Sequence, residues 1–192
     1  MSEDDDLYRP ALTMDEALDP ERMAIVGQIV MFWDMAERQF RVLTWELAGL
    51  DPGIGKIITH DLPNVALITL AKNLANHTLK DPKLKYVKHD VMQLIGLFDE
   101  CRKQRNEVVH GSTMLIDDRI VFYRSTYKAG KGEEIARIAV HLPEDLKTLL
   151  DIITFCTSAI PSVLDSVKTG ETPSYDRDQL QIYLAMLRSP HH

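Results

Sequence analysis

The sequence predicts a mainly α domain: a bundle of four long helices plus a short C-terminal helix. A small antiparallel β-meander is expected as an insertion between the third and fourth long helices. Three observations carry this expectation. Val87, Val91, Leu94, Phe98 and Cys101 recur at steps of four and three, the spacing of one helical face. Val26, Ile29, Trp33, Ala36, Phe40, Leu43, Leu47 and Leu50 follow the same spacing over an earlier stretch. Between Ser112 and Leu142 the helical period disappears. There Ile120-Val121-Phe122-Tyr123 and Ile138-Ala139-Val140-His141-Leu142 are rich in β-branched and aromatic residues.

Taken in chain order, residues 1–18 are expected to form an acidic flexible tail, and residues 19–192 a single domain with its β-insertion at 113–142. Asp19-Pro20 reads as an N-cap with proline at the first helical position. The first helix should run from about Pro20 to Leu50, where Asp51-Pro52-Gly53 stops it. Ile25, Met31, Met35, Val42 and Trp45 lie off its main stripe, so the helix needs cover on more than one side. Gly53-Ile54-Gly55-Lys56 lacks the spacing and preceding strand of a phosphate-binding loop. A helical turn is expected over Ile57 to His60. The second long helix should begin near Pro63 and carry Val65, Ile68, Ala71, Leu74 and Ala75 to about Leu79. Asp81-Pro82 opens the third, which reaches His110 and stops at Gly111. In the insertion, Asp117-Asp118 suits a tight turn and Ala129-Gly130-Lys131-Gly132 a longer one. Its exposed edge would carry Arg119, Arg124, Lys128, Lys131 and Arg137. Pro143-Glu144-Asp145 opens the fourth long helix, to about Val167, with acids where the helix dipole favours them. Its apolar face is Leu146, Leu149, Leu150, Ile153, Phe155, Cys156, Ile160 and Val163. Asp176 to Leu187 should form the short last helix.

Composition narrows the function classes. No apolar run approaches the ~20 residues of a membrane helix. The acidic start, Met1 to Asp6, is unlike a secretory or transit signal. A cytoplasmic protein is therefore expected, with Cys101 and Cys156 reduced in its core. The net charge of −7 sits mostly in the tail: residues 1–20 hold seven acids and one base, a charge of −6, which leaves −1 for the rest. Lys80, Lys83, Lys85, Lys88, Arg102, Lys103 and Arg105 gather around the third helix, either as a local basic groove or as a solvated helix face. Broad non-specific affinity for nucleic acid is not expected. No metal or other cofactor is expected. The chain has no His-x-x-x-His or paired-cysteine spacing, and His89-Asp90 reads as a solvated pair.

The candidate site ends the third helix. Arg105 continues the stripe of Val87 to Cys101, where a cation is unfavourable unless it has partners or reaches a cleft. His110 follows five residues later. The run Arg105-Asn106-Glu107-Val108-Val109-His110 resembles the Arg-Asn-x-x-x-His signature of the HEPN (higher eukaryotes and prokaryotes nucleotide-binding) domains. The resemblance covers roughly Pro20 to His110 and the helix after Pro143. It implies an all-helical, often dimeric domain. Many such domains are metal-independent ribonucleases of toxin–antitoxin and defence systems, and others keep the fold without the activity. It further implies an acidic residue of the first helix facing the motif, for which Glu37 is the candidate.

Cleaving RNA without a metal requires a group that moves protons and one that binds phosphate. Imidazole suits the first task, and the guanidinium fork matches phosphate oxygens. His110 is then the acid or base, Arg105 the phosphate clamp and Asn106 the positioning residue, with Arg102 and Glu37 in support. Arg105 and His110 stand about 140° apart around an ideal helix of ~3.6 residues per turn. Either the last turn loosens, or a second copy supplies the missing half; a C2 homodimer is accordingly expected. A purely structural reading stays open: Arg105 paired with Glu37 or Asp34, and His110 capping a helix end. The function classes are thus a HEPN-like endoribonuclease, as a toxin or defence effector, and a non-catalytic HEPN-like binding or scaffold protein. An RNA substrate and an antitoxin-type protein are the partners each would imply.

Overall fold

The computed structural model describes residues 12–13, 19–110, 112–116, 119–127, 134–138 and 143–188. Among these the chain is mainly helical. It carries α1 (Pro20–Leu47), α2 (Pro52–Thr59), α3 (Asn64–Thr78), a 3-10 turn (Pro82–Leu84), α4 (Lys85–His110), α5 (Pro143–Thr169) and α6 (Arg177–Arg188). The caps are local chemistry. Asp19 accepts the Arg22 amide at 3.0 Å, with Pro20 following it. Asp51 accepts the Gly53 amide at 2.8 Å, and Asp81 that of Lys83 at 2.9 Å.

Two boundaries differ from expectation. α1 stops at Leu47 because Gly49 takes φ 63, and the Leu50 amide reaches back to the Trp45 carbonyl at 3.0 Å. Glycine at that position closes a Schellman-type end before Asp51-Pro52 is reached. Asp51-Pro52 starts a helix instead: α2 is two turns long and covers Gly53 and Gly55, where a single turn over Ile57 to His60 was expected. Gly55 is there for close approach, since a Cβ on it would collide with the ring of Trp45. The Trp45 indole donates to Thr59 Oγ1 at 2.8 Å, which donates to the Gly55 carbonyl at 2.8 Å.

The core is the sum of the expected stripes. Phe98 of α4 lies between Trp33 and Phe40 of α1, with ring centroids 4.7 and 4.0 Å away. Ile29, Ala36, Leu43, Val91, Leu94, Cys101, Leu146, Ile153, Ile160 and Val163 are buried with them. Ile25 joins this core although it was read as off-stripe, whereas Val65, placed on the α3 stripe, is exposed and Leu67 is buried in that helix. α5 is long and apolar enough to cross a membrane by length and composition. Its apolar face is spent against α1 and α4 in this core. Cys101 and Cys156 are free thiols in the same interior, and burial raises both pKa values, that of Cys156 to about 12.

Away from the core, α1 leaves Met23, Val30, Met31, Met35 and Val42 exposed on its opposite side. α2 does the same with Ile54, Ile57 and Ile58.

Four strands complete the described backbone: β1 (Leu12–Thr13), β2 (Ser112–Ile116), β3 (Arg119–Tyr127) and β4 (Glu134–Ile138). β3 pairs antiparallel with β2 (Ser112 opposite Tyr123), with β4 (Tyr127 opposite Glu134) and with β1 (Leu12 opposite Ile120). Residues 12–13 are thus held by pairing within the expected tail; the rest of 1–18 lies outside the described residues. So do the side chains of 111–143, including Arg119, Arg124, Lys128, Lys131 and Arg137. The fold class shown is the helical bundle, and the described residues do not carry a meander set into it as a packed unit.

Candidate functional site

Arg105 and His110 meet within one chain. Arg105 Nη1 lies 2.8 Å from His110 Nε2 and donates to Asn106 Oδ1 at 3.2 Å. Arg105 is half-buried on the last turns of α4, and His110 is its exposed final residue. A guanidinium has donors only, so His110 Nε2 is the acceptor here and carries a lone pair. The five-residue spacing is bridged by the length of the arginine side chain. α4 runs regularly to His110, and no second copy is needed to bring the pair together. That corrects the geometric part of the expectation.

The acids named for the structural reading have other partners. Glu37 Oε1 accepts from Arg41 Nη2 at 2.8 Å and Oε2 from Asn64 Nδ2 at 2.9 Å. Asp34 pairs with Arg38 at 2.5 Å on the surface. Glu37 reaches Arg105 only through its field. Burial raises the Glu37 pKa, but the hydrogen bonds from Arg41 and Asn64 outweigh it and hold the carboxyl below its ordinary value. Burial lowers the pKa of Arg105, and the Glu37 charge opposes that. Arg105 Nε is itself buried and without a partner. Arg41 also donates to the carbonyls of Thr59 and, at 3.2 Å, Leu62, so the Glu37 cluster ties α1 to the start of α3.

Arg102 is not free to extend the flank. Its Nε and Nη2 both donate to Asp99 Oδ1, at 3.1 and 2.9 Å. Lys103 donates to Glu100 at 2.9 Å. Of the three cations of this stretch, Arg105 alone has no carboxylate partner among the described residues. The basic groove is accordingly narrower than its sequence count suggested.

One site was misjudged from sequence. Asp90 is 3% exposed rather than solvated. Arg177 of α6 forks onto it, Nε to Oδ1 at 3.1 Å and Nη2 to Oδ2 at 2.5 Å. The pair floors a cleft of about 350 Å³ lined by Tyr86, His89, Gln93, Asp178 and Gln181. The signal was present in the sequence: Asp90 neighbours Val91 and stands four residues before Leu94, on the buried face. The missing information was its partner, 87 residues away. Among the described residues no three histidine, cysteine, aspartate or glutamate side chains gather as a metal site. No protein-family model, curated protein or solved structure matches the chain.

Proposed function

We propose that the protein is a HEPN-like, metal-independent endoribonuclease of the cytoplasm, acting as a toxin or defence effector. Its finer fold is then a HEPN-like bundle of four long helices with the antiparallel strands as an insertion. The observation that carries the reading is the 2.8 Å contact between Arg105 and His110, made by a guanidinium with no carboxylate partner. A phosphodiester entering beside it takes the guanidinium donors and releases His110 Nε2. The imidazole accepts the proton of the RNA 2′-hydroxyl as that oxygen attacks phosphorus, and a 2′,3′-cyclic phosphate forms as the 5′-oxygen leaves protonated. Asn106 holds Arg105 toward the histidine. Glu37 supplies negative potential behind it, and Arg102, locked to Asp99, has no part in phosphate binding.

Purified protein incubated with RNA in EDTA tests this. Cleavage is expected, and its loss in both Arg105→Ala and His110→Ala with folding intact. RNA left whole by a folded wild-type protein rejects the enzyme. The second reading, a non-catalytic HEPN-like binding or scaffold protein, draws on the apolar outer face of α1, where Met31 is 56% and Met35 44% exposed. We assign that face to a C2 homodimer under either reading, consistent with methionine-rich contact surfaces. Light scattering on Met31→Glu with Met35→Glu should show a monomer where wild type is a dimer. A monomeric wild type at micromolar concentration ends the assignment. An antitoxin-type protein would be the second partner of the toxin, and co-expression relieving growth arrest is its assay.

A further inference from the structure

We infer that Asn64 is a positioning residue of the Arg105–His110 site, keeping Arg105 on the histidine by occupying the carboxylate that would otherwise capture it. This rests on the reading of Arg105 and His110 as the working pair. Arg105 has two attractions to choose between. One is Glu37, an ionised carboxylate whose charge already bears on it. The other is a neutral imidazole nitrogen. Charge-assisted pairing is the stronger interaction, and Arg105 still has a buried Nε without a partner to offer. The guanidinium nevertheless faces His110.

The reason lies on the carboxylate. Oε1 of Glu37 is taken by Arg41, which is itself anchored to the Thr59 and Leu62 carbonyls. Oε2 is taken by Asn64, the first residue of α3. With both oxygens engaged, Glu37 lends its field to Arg105 without bonding it. Asn64 serves that contact at the expense of its own amide, because its Oδ1 is buried with no partner. A side chain placed only for packing would not leave a carbonyl stranded there.

The test reads His110 directly. At pH 8, the ¹⁵N resonance of His110 Nε2 reports whether it accepts a hydrogen bond, with or without RNA cleavage. Asn64→Leu keeps the volume and removes the donor. Asn64→Asp keeps the shape, suits a helix N-terminus and also removes it. In either variant Arg105 should swing to the freed oxygen, and the Nε2 resonance should move to its unbonded position. Adding Glu37→Gln removes the attraction, and the wild-type resonance should return. RNA cleavage should follow the resonance, falling about 10²-fold as expected for a misplaced catalytic group and recovering in the double variant. A resonance unmoved by loss of the amide overturns the inference, as does one that stays displaced in the double variant. Arg105→Ala is the control: if it leaves the resonance unchanged, the Arg105–His110 contact and the nuclease reading fall together. If it moves the resonance while the Asn64 variants do not, only the role of Asn64 is lost.

Discussion

Two arginines meet the same helix in opposite ways. Near the start of α4, Arg177 forks onto the buried carboxylate of Asp90 and joins α6 to the bundle. At its end, Arg105 turns from a nearby carboxylate whose oxygens are filled and faces an exposed imidazole. The first is a closed electrostatic lock: donor and acceptor satisfy each other, and nothing is left to offer a ligand. The second holds a desolvated cation in reserve. Charge close to a helix therefore does not define a site. The occupancy of the opposite charge does.

The sharpest way to break this comparison is to remove the arginine of the lock. Arg177→Ala leaves the Asp90 carboxylate buried and unpaired, and should cost about 3–5 kcal/mol. That lowers the melting temperature by on the order of 10 °C in a chain of this size. Burial and the Asp90 charge also raise the pKa of the neighbouring Tyr175, so its hydroxyl stays neutral and is left as a weak substitute donor. A denaturation midpoint unchanged from wild type would mean that the lock holds nothing. Next in size is Gly55→Ala, at a backbone contact that binds the Glu37 end of the molecule together. The new methyl collides with the Trp45 ring, and overpacking of this kind costs about 1–3 kcal/mol. Thermal unfolding measures it, and RNA cleavage at low temperature should survive.

Much of this architecture is written locally. The steps of three and four in α1, α4 and α5 name their buried faces because a helix repeats every ~3.6 residues whatever surrounds it. Asp19-Pro20, Asp51-Pro52 and Asp81-Pro82 each begin an element by side-chain capping. The boundary at Gly49 was less legible, since it turned on one residue's φ where a stronger Asp-Pro signal stood three residues away. Partner choice was not legible at all. Arg105 as an interruption of an apolar stripe was visible. That Glu37 would be filled by Asn64 and Arg41, that Arg102 would be spent on Asp99, and that Asp90 would meet Arg177 depended on tertiary contacts that no spacing encodes.

A smaller effect separates the two regions by pH. Glu37 has a folded pKa below its ordinary value, so its hydrogen bonds contribute stability that is fully present above the unfolded carboxylate pKa, ~4.3. That contribution is lost as pH falls through the lower, folded value. Glu37→Gln should therefore reduce stability at pH 7 and flatten the acid limb of the stability profile below about pH 4. The measurement is urea denaturation across pH, and a variant whose acid limb parallels wild type contradicts the role given to the carboxylate.

The smallest stability effect is the most telling for function. Arg105 has a desolvated guanidinium, an unpartnered Nε and no acid to compensate it, so the fold gains little from it. Arg105→Met keeps the long apolar stem, extends the stripe of Val87 to Cys101 and removes the buried charge. It should be neutral or stabilising, by about 0–1 kcal/mol. The same substitution should abolish RNA cleavage, because the phosphate clamp is gone. A residue whose loss improves the fold and ends the activity is held for chemistry, the usual relation between stability and function at a working site. If Arg105→Met instead unfolds the protein as readily as Arg177→Ala, both arginines are locks and the distinction between the ends of α4 disappears.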